Sequence, residues 1–114
     1  MNHPFEARVS VSDGGGAVVI LSGTVDRAAK QDLEAAYDQA STSPGRVLLD
    51  FRDVDYINST GIAVIVGILA MARAENREVG AFGLSEHYRE VFNITRLADF
   101  MTIYEDETAA VAAG

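Results

Sequence analysis

The stretch 47–70 constrains this chain more than any other. Val47-Leu48-Leu49-Asp50-Phe51 is β-rich, as expected for a strand. A charged segment, Arg52-Asp53-Val54-Asp55, reads as a loop and leads to the apolar pair Tyr56-Ile57. Asn58-Ser59-Thr60-Gly61 comes next, and a long apolar helical pattern begins at Ile62. Ser59 therefore stands at the mouth of a predicted helix. A hydroxyl there can cap free backbone N–H groups. A phosphate there would also be well placed against the helix dipole. Ile62, Ile65, Val66 and Leu69 supply the large apolar residues of this helix, and Ala63, Gly67, Ala70 and Ala74 form a second stripe. Small residues let a backbone approach a sheet closely. Gly67 costs about 1 kcal/mol of helix propensity relative to alanine, which points to a packing reason.

The rest of the chain repeats the strand-then-helix theme. Residues 8–12 alternate polar and apolar side chains and read as a strand. Asp13-Gly14-Gly15-Gly16 supplies a hairpin turn, and residues 17–21 form a second strand whose unbroken apolar run predicts burial on both faces. Asp26 is a good N-cap for a helix starting at Arg27, with Ala29, Leu33, Ala36, Tyr37 and Ala40 on one face. Ser41-Thr42-Ser43-Pro44-Gly45 stops that helix. Val79-Gly80-Ala81-Phe82 reads as a short buried strand, and Ser85 caps a helix that presents Tyr88, Val91 and Phe92. Residues 100–104 make a last strand, and acids at 105–107 open a last helix. The order β-β-α-β-α-β-α-β-α predicts an α/β fold. It is a single domain over residues 1–114, with a mixed, mainly parallel five-stranded sheet and about four helices.

Composition narrows the function. The 114 residues carry 9 basic and 17 acidic side chains, a formal charge of −8. Such a field opposes a phosphate backbone, so nucleic acid is not expected as a partner. A basic surface on a partner protein suits it better. There is no cysteine, hence no disulfide or thiolate ligand, and His3 and His87 make no metal cluster. The N-terminus has neither the basic start nor the apolar stretch of a signal peptide. The most apolar segment, residues 57–72, is shorter than the roughly 20 residues of a membrane span. A cytoplasmic protein with no membrane insertion is expected.

Several chemistries can be weighed at these positions. Ser59 as a nucleophile lacks the Gly-x-Ser-x-Gly elbow, and its only base would be His87 on another helix. His87 itself is expected to point to solvent. The three glycines at 14–16 are followed by a strand and no Lys-Ser/Thr, unlike a phosphate loop. Asp26, Asp50, Asp53 and Asp55 lack the spacing of a calcium loop and read as a solvated acidic face. No catalytic residue, metal or cofactor is called for. Spacing alone favours helix capping as the role of Ser59.

Residues 49–67 resemble the signature of the STAS domain, in particular that of bacterial anti-sigma factor antagonists. That pattern is an apolar strand, a short loop, then Asp-Ser-Ser/Thr-Gly-Leu opening a helix. Leu21-Ser22-Gly23-Thr24-Val25-Asp26 is similar to the family's Leu-x-Gly-x-Leu-Asp, and residues 91–100 look like its late helix and closing strand. The resemblance implies a binding switch and no enzyme. Its partner would be an anti-sigma factor that is also an ATP-dependent serine-protein kinase. Unphosphorylated antagonist binds that partner and frees a sigma factor; phosphorylated antagonist lets go; a PP2C-type phosphatase resets it. The phosphoacceptor falls on Ser59, with Thr60 a second candidate, and the partner-binding surface on Asp26, Asn58, Ser59, Thr60 and Gly61. Asn58 departs from the family's usual aspartate. The runner-up is a STAS scaffold or regulatory subunit, not phosphorylated, in a stress-signalling or lipid-transport complex. Oligomeric state stays open between monomer and weak dimer.

Overall fold

The structure, a computed structural model, describes residues 4–11 and 16–112. The element order is β1 (Glu6–Val11), β2 (Ala17–Val25), α1 (Lys30–Ala40), β3 (Val47–Ile57), α2 (Ser59–Ala74), β4 (Val79–Phe82), α3 (Glu86–Ile94), β5 (Thr102–Ile103) and α4 (Glu107–Ala112). The predicted turn at 13–16 falls largely outside the described residues. The five strands lie side by side in chain order, β1-β2-β3-β4-β5. β1 runs antiparallel to β2, and β2 through β5 are parallel. The α/β fold with a mixed, mainly parallel sheet is as expected.

This topology decides where the helices lie. Successive parallel strands that always step the same way, joined by right-handed crossovers, place their helices on one face. Leu33, Ala36 and Tyr37 of α1, Ile65, Ile68 and Leu69 of α2 and Phe92 of α3 accordingly share one core. They meet Val19 and Leu21 of β2, Val47, Leu49 and Phe51 of β3, and Ala81 of β4. Phe51 meets Phe92 edge-on, with ring centroids 5.7 Å apart. The other face alternates out of phase: Leu48 and Phe82 pack with Val18, Tyr104 and Ala110 of α4.

Several boundaries differ from expectation for identifiable reasons. Residues 52–55 are part of β3, not a loop, because the distal half of β3 pairs with Ser22–Val25 of β2. Two irregularities in the register, between Ile20 and Ser22 and between Gly23 and Thr24, absorb extra β3 residues there. The segment is charged because Arg52, Asp53 and Asp55 face solvent. The first turn after Asp26 is a 3-10 turn, Arg27–Ala29, and the α-helix proper begins at Lys30. β5 shrinks to two residues: Phe100 still closes the preceding 3-10 turn, Leu97–Asp99, by donating to Leu97 O, and only Thr102 and Ile103 pair with β4. α4 begins at Glu107, with Asp106 Oδ1 accepting from Ala109 N at 2.8 Å. On β2 every second residue is fully buried and those between are half-buried, so the second face is only partly covered.

The small-residue stripe of α2 is the clearest correction. Ala63, Gly67, Ala70 and Ala74 are all exposed, and a Cβ on Gly67 would meet nothing within 4 Å among the described residues. The stripe faces solvent, and Val64, Ile65, Ile68, Leu69 and Ala72 pack inward instead. Val66, expected in the core, is 47% exposed.

Candidate functional site

β2 and β3 end side by side, Val25 opposite Ile57. Each is followed within a few residues by a helical N-terminus, so two sets of orphan N–H groups point out of the same end of the sheet. Ligands and partners of open parallel sheets gather at this carboxyl end of the strands. Asp26 caps the first N-terminus, its Oδ1 accepting from Ala28 N at 2.9 Å. Asn58 caps the second, its Oδ1 accepting from Gly61 N at 2.9 Å. The cap of α2 is therefore Asn58 and not Ser59. The cap needs an extended backbone, which Asn58 has, whereas Ser59 is already the first helical residue.

Thr60 joins the two termini. Its hydroxyl donates to Asn58 Oδ1 at 2.7 Å and accepts from Arg27 N at 2.9 Å. Asn58 N donates to Val25 O at 3.3 Å, closing the circuit onto β2. Gly61 is fixed by sterics, since a Cβ there would overlap the carbonyl of Val25. Thus Asp26, Asn58, Thr60 and Gly61 form one assembly of caps and close contacts. Ser59 sits in its midst, exposed, and its hydroxyl makes no hydrogen bond to another described residue.

Asn58 supplies the acceptor geometry that an aspartate would, with one negative charge fewer beside Ser59. His87 is exposed on α3, as expected, and stacks edge-on against Tyr88 at 4.9 Å. Asp50 does not belong to a solvated acidic face. It is 2% exposed and grips Arg52, accepting from Nη2 at 2.8 Å and from the Arg52 backbone N at 2.9 Å. Hydrogen bonds to Asp50 hold the Arg52 guanidinium above its ordinary pKa. Among the described residues no group of His, Asp and Glu is arranged to hold a metal ion.

One contact at this end escaped the sequence reading. β3 outruns β4, which stops opposite Asp50, so the β3 edge beyond it has no strand partner among the described residues. The Tyr88 hydroxyl accepts from Ile57 N at 2.9 Å and satisfies one donor of that edge. Tyr88 read as an apolar-face residue of α3; the mismatch between an 11-residue and a 4-residue strand is the signal for its polar role.

Comparison with known proteins agrees with this architecture. The family model described as Mlab, STAS domain, matches residues 10–103. The anti-sigma-B factor antagonist of Listeria monocytogenes is 31% identical over 86 residues, 75% of either chain. An anti-sigma factor antagonist from Mycobacterium paratuberculosis shares the fold with a TM-score of 0.78, at 22% identity over 96% of this chain and 93% of its own. The anti-sigma factor antagonist SpoIIAA shares it in the unphosphorylated form (TM-score 0.70, 15% identity, 94% of either chain). Its phosphorylated form also does (TM-score 0.69, 18% identity, 95% of this chain and 99% of that one). Among the described residues no helix is long and apolar enough to cross a membrane. The chain belongs to the STAS domain family and, within it, to the anti-sigma factor antagonists.

Proposed function

We propose that this protein is a partner-switching antagonist whose binding is set by phosphorylation of Ser59. One observation carries the reading: within the assembly at the sheet end, Ser59 is exposed and its hydroxyl is engaged by no described residue. Phosphorylation there adds about −1.5 to −2 charges without dismantling a cap. The helix N-terminus tolerates that charge, by roughly 0.3–1 kcal/mol. An acidic or apolar partner surface docked over Ser59 does not, so the phosphate opposes binding without a change of fold. SpoIIAA, similar in fold to this chain in both forms, supports that economy. Thr60 is the poorer acceptor, because modifying its hydroxyl breaks the contacts to Asn58 and Arg27.

The partner in this reading is an anti-sigma factor with ATP-dependent serine-protein kinase activity. A PP2C-type phosphatase removes the phosphate, and the chain itself carries no catalysis. Wild type, Ser59→Ala and Ser59→Asp proteins test it by capture from a host lysate and identification of what is retained. An ATP-binding kinase held by the first two and released by the third is the expected result. Equal capture by all three overturns the switch. That outcome favours the second reading, a STAS subunit with a constant partner, whose motivating observation is Asn58 in place of the family's acid.

A further inference from the structure

β1 is the edge of the sheet: β2 pairs with it on one side, and on the other no described strand lies against it. An open edge offers unpaired N–H and C=O groups to any strand that meets them in register. The order of side chains along this edge is unusual. Phe5-Glu6-Ala7-Arg8-Val9 runs apolar, acidic, small, basic, apolar. Phe5, Ala7 and Val9 lie half-buried against the core on the helix side, while Glu6 and Arg8 alternate to the other face and are exposed. Among the described residues neither Glu6 nor Arg8 forms an ion pair.

This order is self-complementary. Turned about a two-fold axis at Ala7, a second copy of the segment runs antiparallel to the first. Glu6 then lies opposite the partner's Arg8, and Arg8 opposite the partner's Glu6. Phe5 meets the partner's Val9 on the core side, Val9 meets the partner's Phe5, and the two Ala7 face each other. Side chains directly opposite in an antiparallel pair have Cβ atoms about 4.5–5.5 Å apart, within reach of both ion pairs. Other registers do worse. An axis at Arg8 sets it against the partner's Arg8, and an axis at Val9 sets Arg8 against the partner's Ser10. An axis between residues turns the core side of one copy against the outer side of the other. Charges on an edge ordinarily turn a neighbour away; in this order they reward one neighbour in one register.

We propose that β1 is a homodimerisation edge, two copies pairing antiparallel through residues 5–9 about Ala7 and joining their sheets into one. The contact is isologous and closes on itself. It adds about four to six main-chain hydrogen bonds and covers the open sides of Phe5, Ala7 and Val9. A strand edge covers less than the roughly 800 Å² per partner of a stable complex, so the dimer is weak and forms as concentration rises. Asp26 and residues 58–61 lie outside the paired segment, so each dimer presents two Ser59 sites. The proposal does not depend on phosphorylation of Ser59.

Sedimentation equilibrium of the whole chain, up to millimolar concentration at physiological salt, tests it. Wild type is expected to approach the mass of a dimer. Glu6→Arg and Arg8→Glu each set like charges opposite one another twice and should weaken association about tenfold or more. The two substitutions move net charge in opposite directions, so a shared loss cannot come from overall repulsion. An equimolar mixture of the two variants should associate again, the basic strand of one against the acidic strand of the other. The double variant exchanges both charges and should dimerise like wild type. Both side chains are exposed, so folding is not at stake, and unfolding curves that superpose on wild type check this. A wild type that stays monomeric overturns the proposal and leaves the edge to a strand of another protein. A dimer indifferent to both single substitutions overturns it too, since that dimer forms on another surface. So does a mixture that stays monomeric where wild type pairs.

Discussion

At the scale of the residue, the site depends on one amide and one missing side chain. Asn58 Oδ1 takes the protons of Gly61 N–H and Thr60 O–H together. Asn58→Ala removes the acceptor of both hydrogen bonds and is expected to cost about 1 kcal/mol of stability, measured by urea unfolding. Asn58→Asp keeps that acceptor oxygen and adds charge at the helix N-terminus. It should be neutral or stabilising by about 0.3–1 kcal/mol. A loss comparable to that of alanine would show that the amide N–H₂ group, not the carbonyl, is what the site needs. Gly61→Ala drives a methyl into the Val25 carbonyl. The end of β2 and the start of α2 must then separate, at a cost of about 1–3 kcal/mol. An alanine variant as stable as wild type would refute the close approach.

At the scale of the element, the sequence pattern was most legible where one face alone is buried. Leu33, Ala36, Tyr37 and Ala40 of α1 recur with helical period and all lie inward. The pattern misled on α2, where apolar residues run around most of the helix and two stripes compete. Volume settled it, because Val64, Ile65, Ile68 and Leu69 fill the space above the sheet better than alanines do. Gly67 on the outer stripe therefore has no packing partner among the described residues, and Gly67→Ala should stabilise the protein by up to about 1 kcal/mol. The capping assignment slipped by one residue, from Asn58 to Ser59, because both residue types cap well and spacing alone does not fix a helix start. Residues 52–55 looked like a loop because their charge reflects an exposed strand end. At the far end of α2, Tyr37 donates to Glu75 at 2.7 Å. Burial, with that bond and the nearby carboxylate, pushes its pKa from 10 to about 12. An unfolded tyrosine gives up its proton near 10, so this contribution to stability is complete below pH 10. It is lost as pH rises towards 12. Denaturant titrations between these limits should show Tyr37→Phe less pH-sensitive than wild type; parallel curves would contradict the assignment.

At the scale of the whole molecule, the sheet separates two kinds of surface. One face carries α1, α2 and α3 and ends in the caps around Ser59. The opposite face is closed over β3 and β4 by a six-residue helix too short to persist alone. Ala110 is fully buried there, next to Leu48 and Phe82. Arg46 reaches across to the Ala110 carbonyl and donates to Tyr104 Oη at 2.9 Å, while Arg52 joins Glu107 to buried Asp50. Deleting residues 105–114 should uncover Phe82 and Leu48, raise binding of an apolar dye, and lower Tm by about 5–10 °C. The hydrogen bonds among Asp26, Asn58, Thr60 and Arg27 involve no atom of α4. Partner binding measured well below the lowered Tm should therefore be unchanged, and so should its response to Ser59→Asp. A truncated protein that is intact but has lost the Ser59 response would show that the two faces are coupled through β3. Arg52, which touches the clamp on α4 and lines a cavity beside Ile57, would then be the residue to change next.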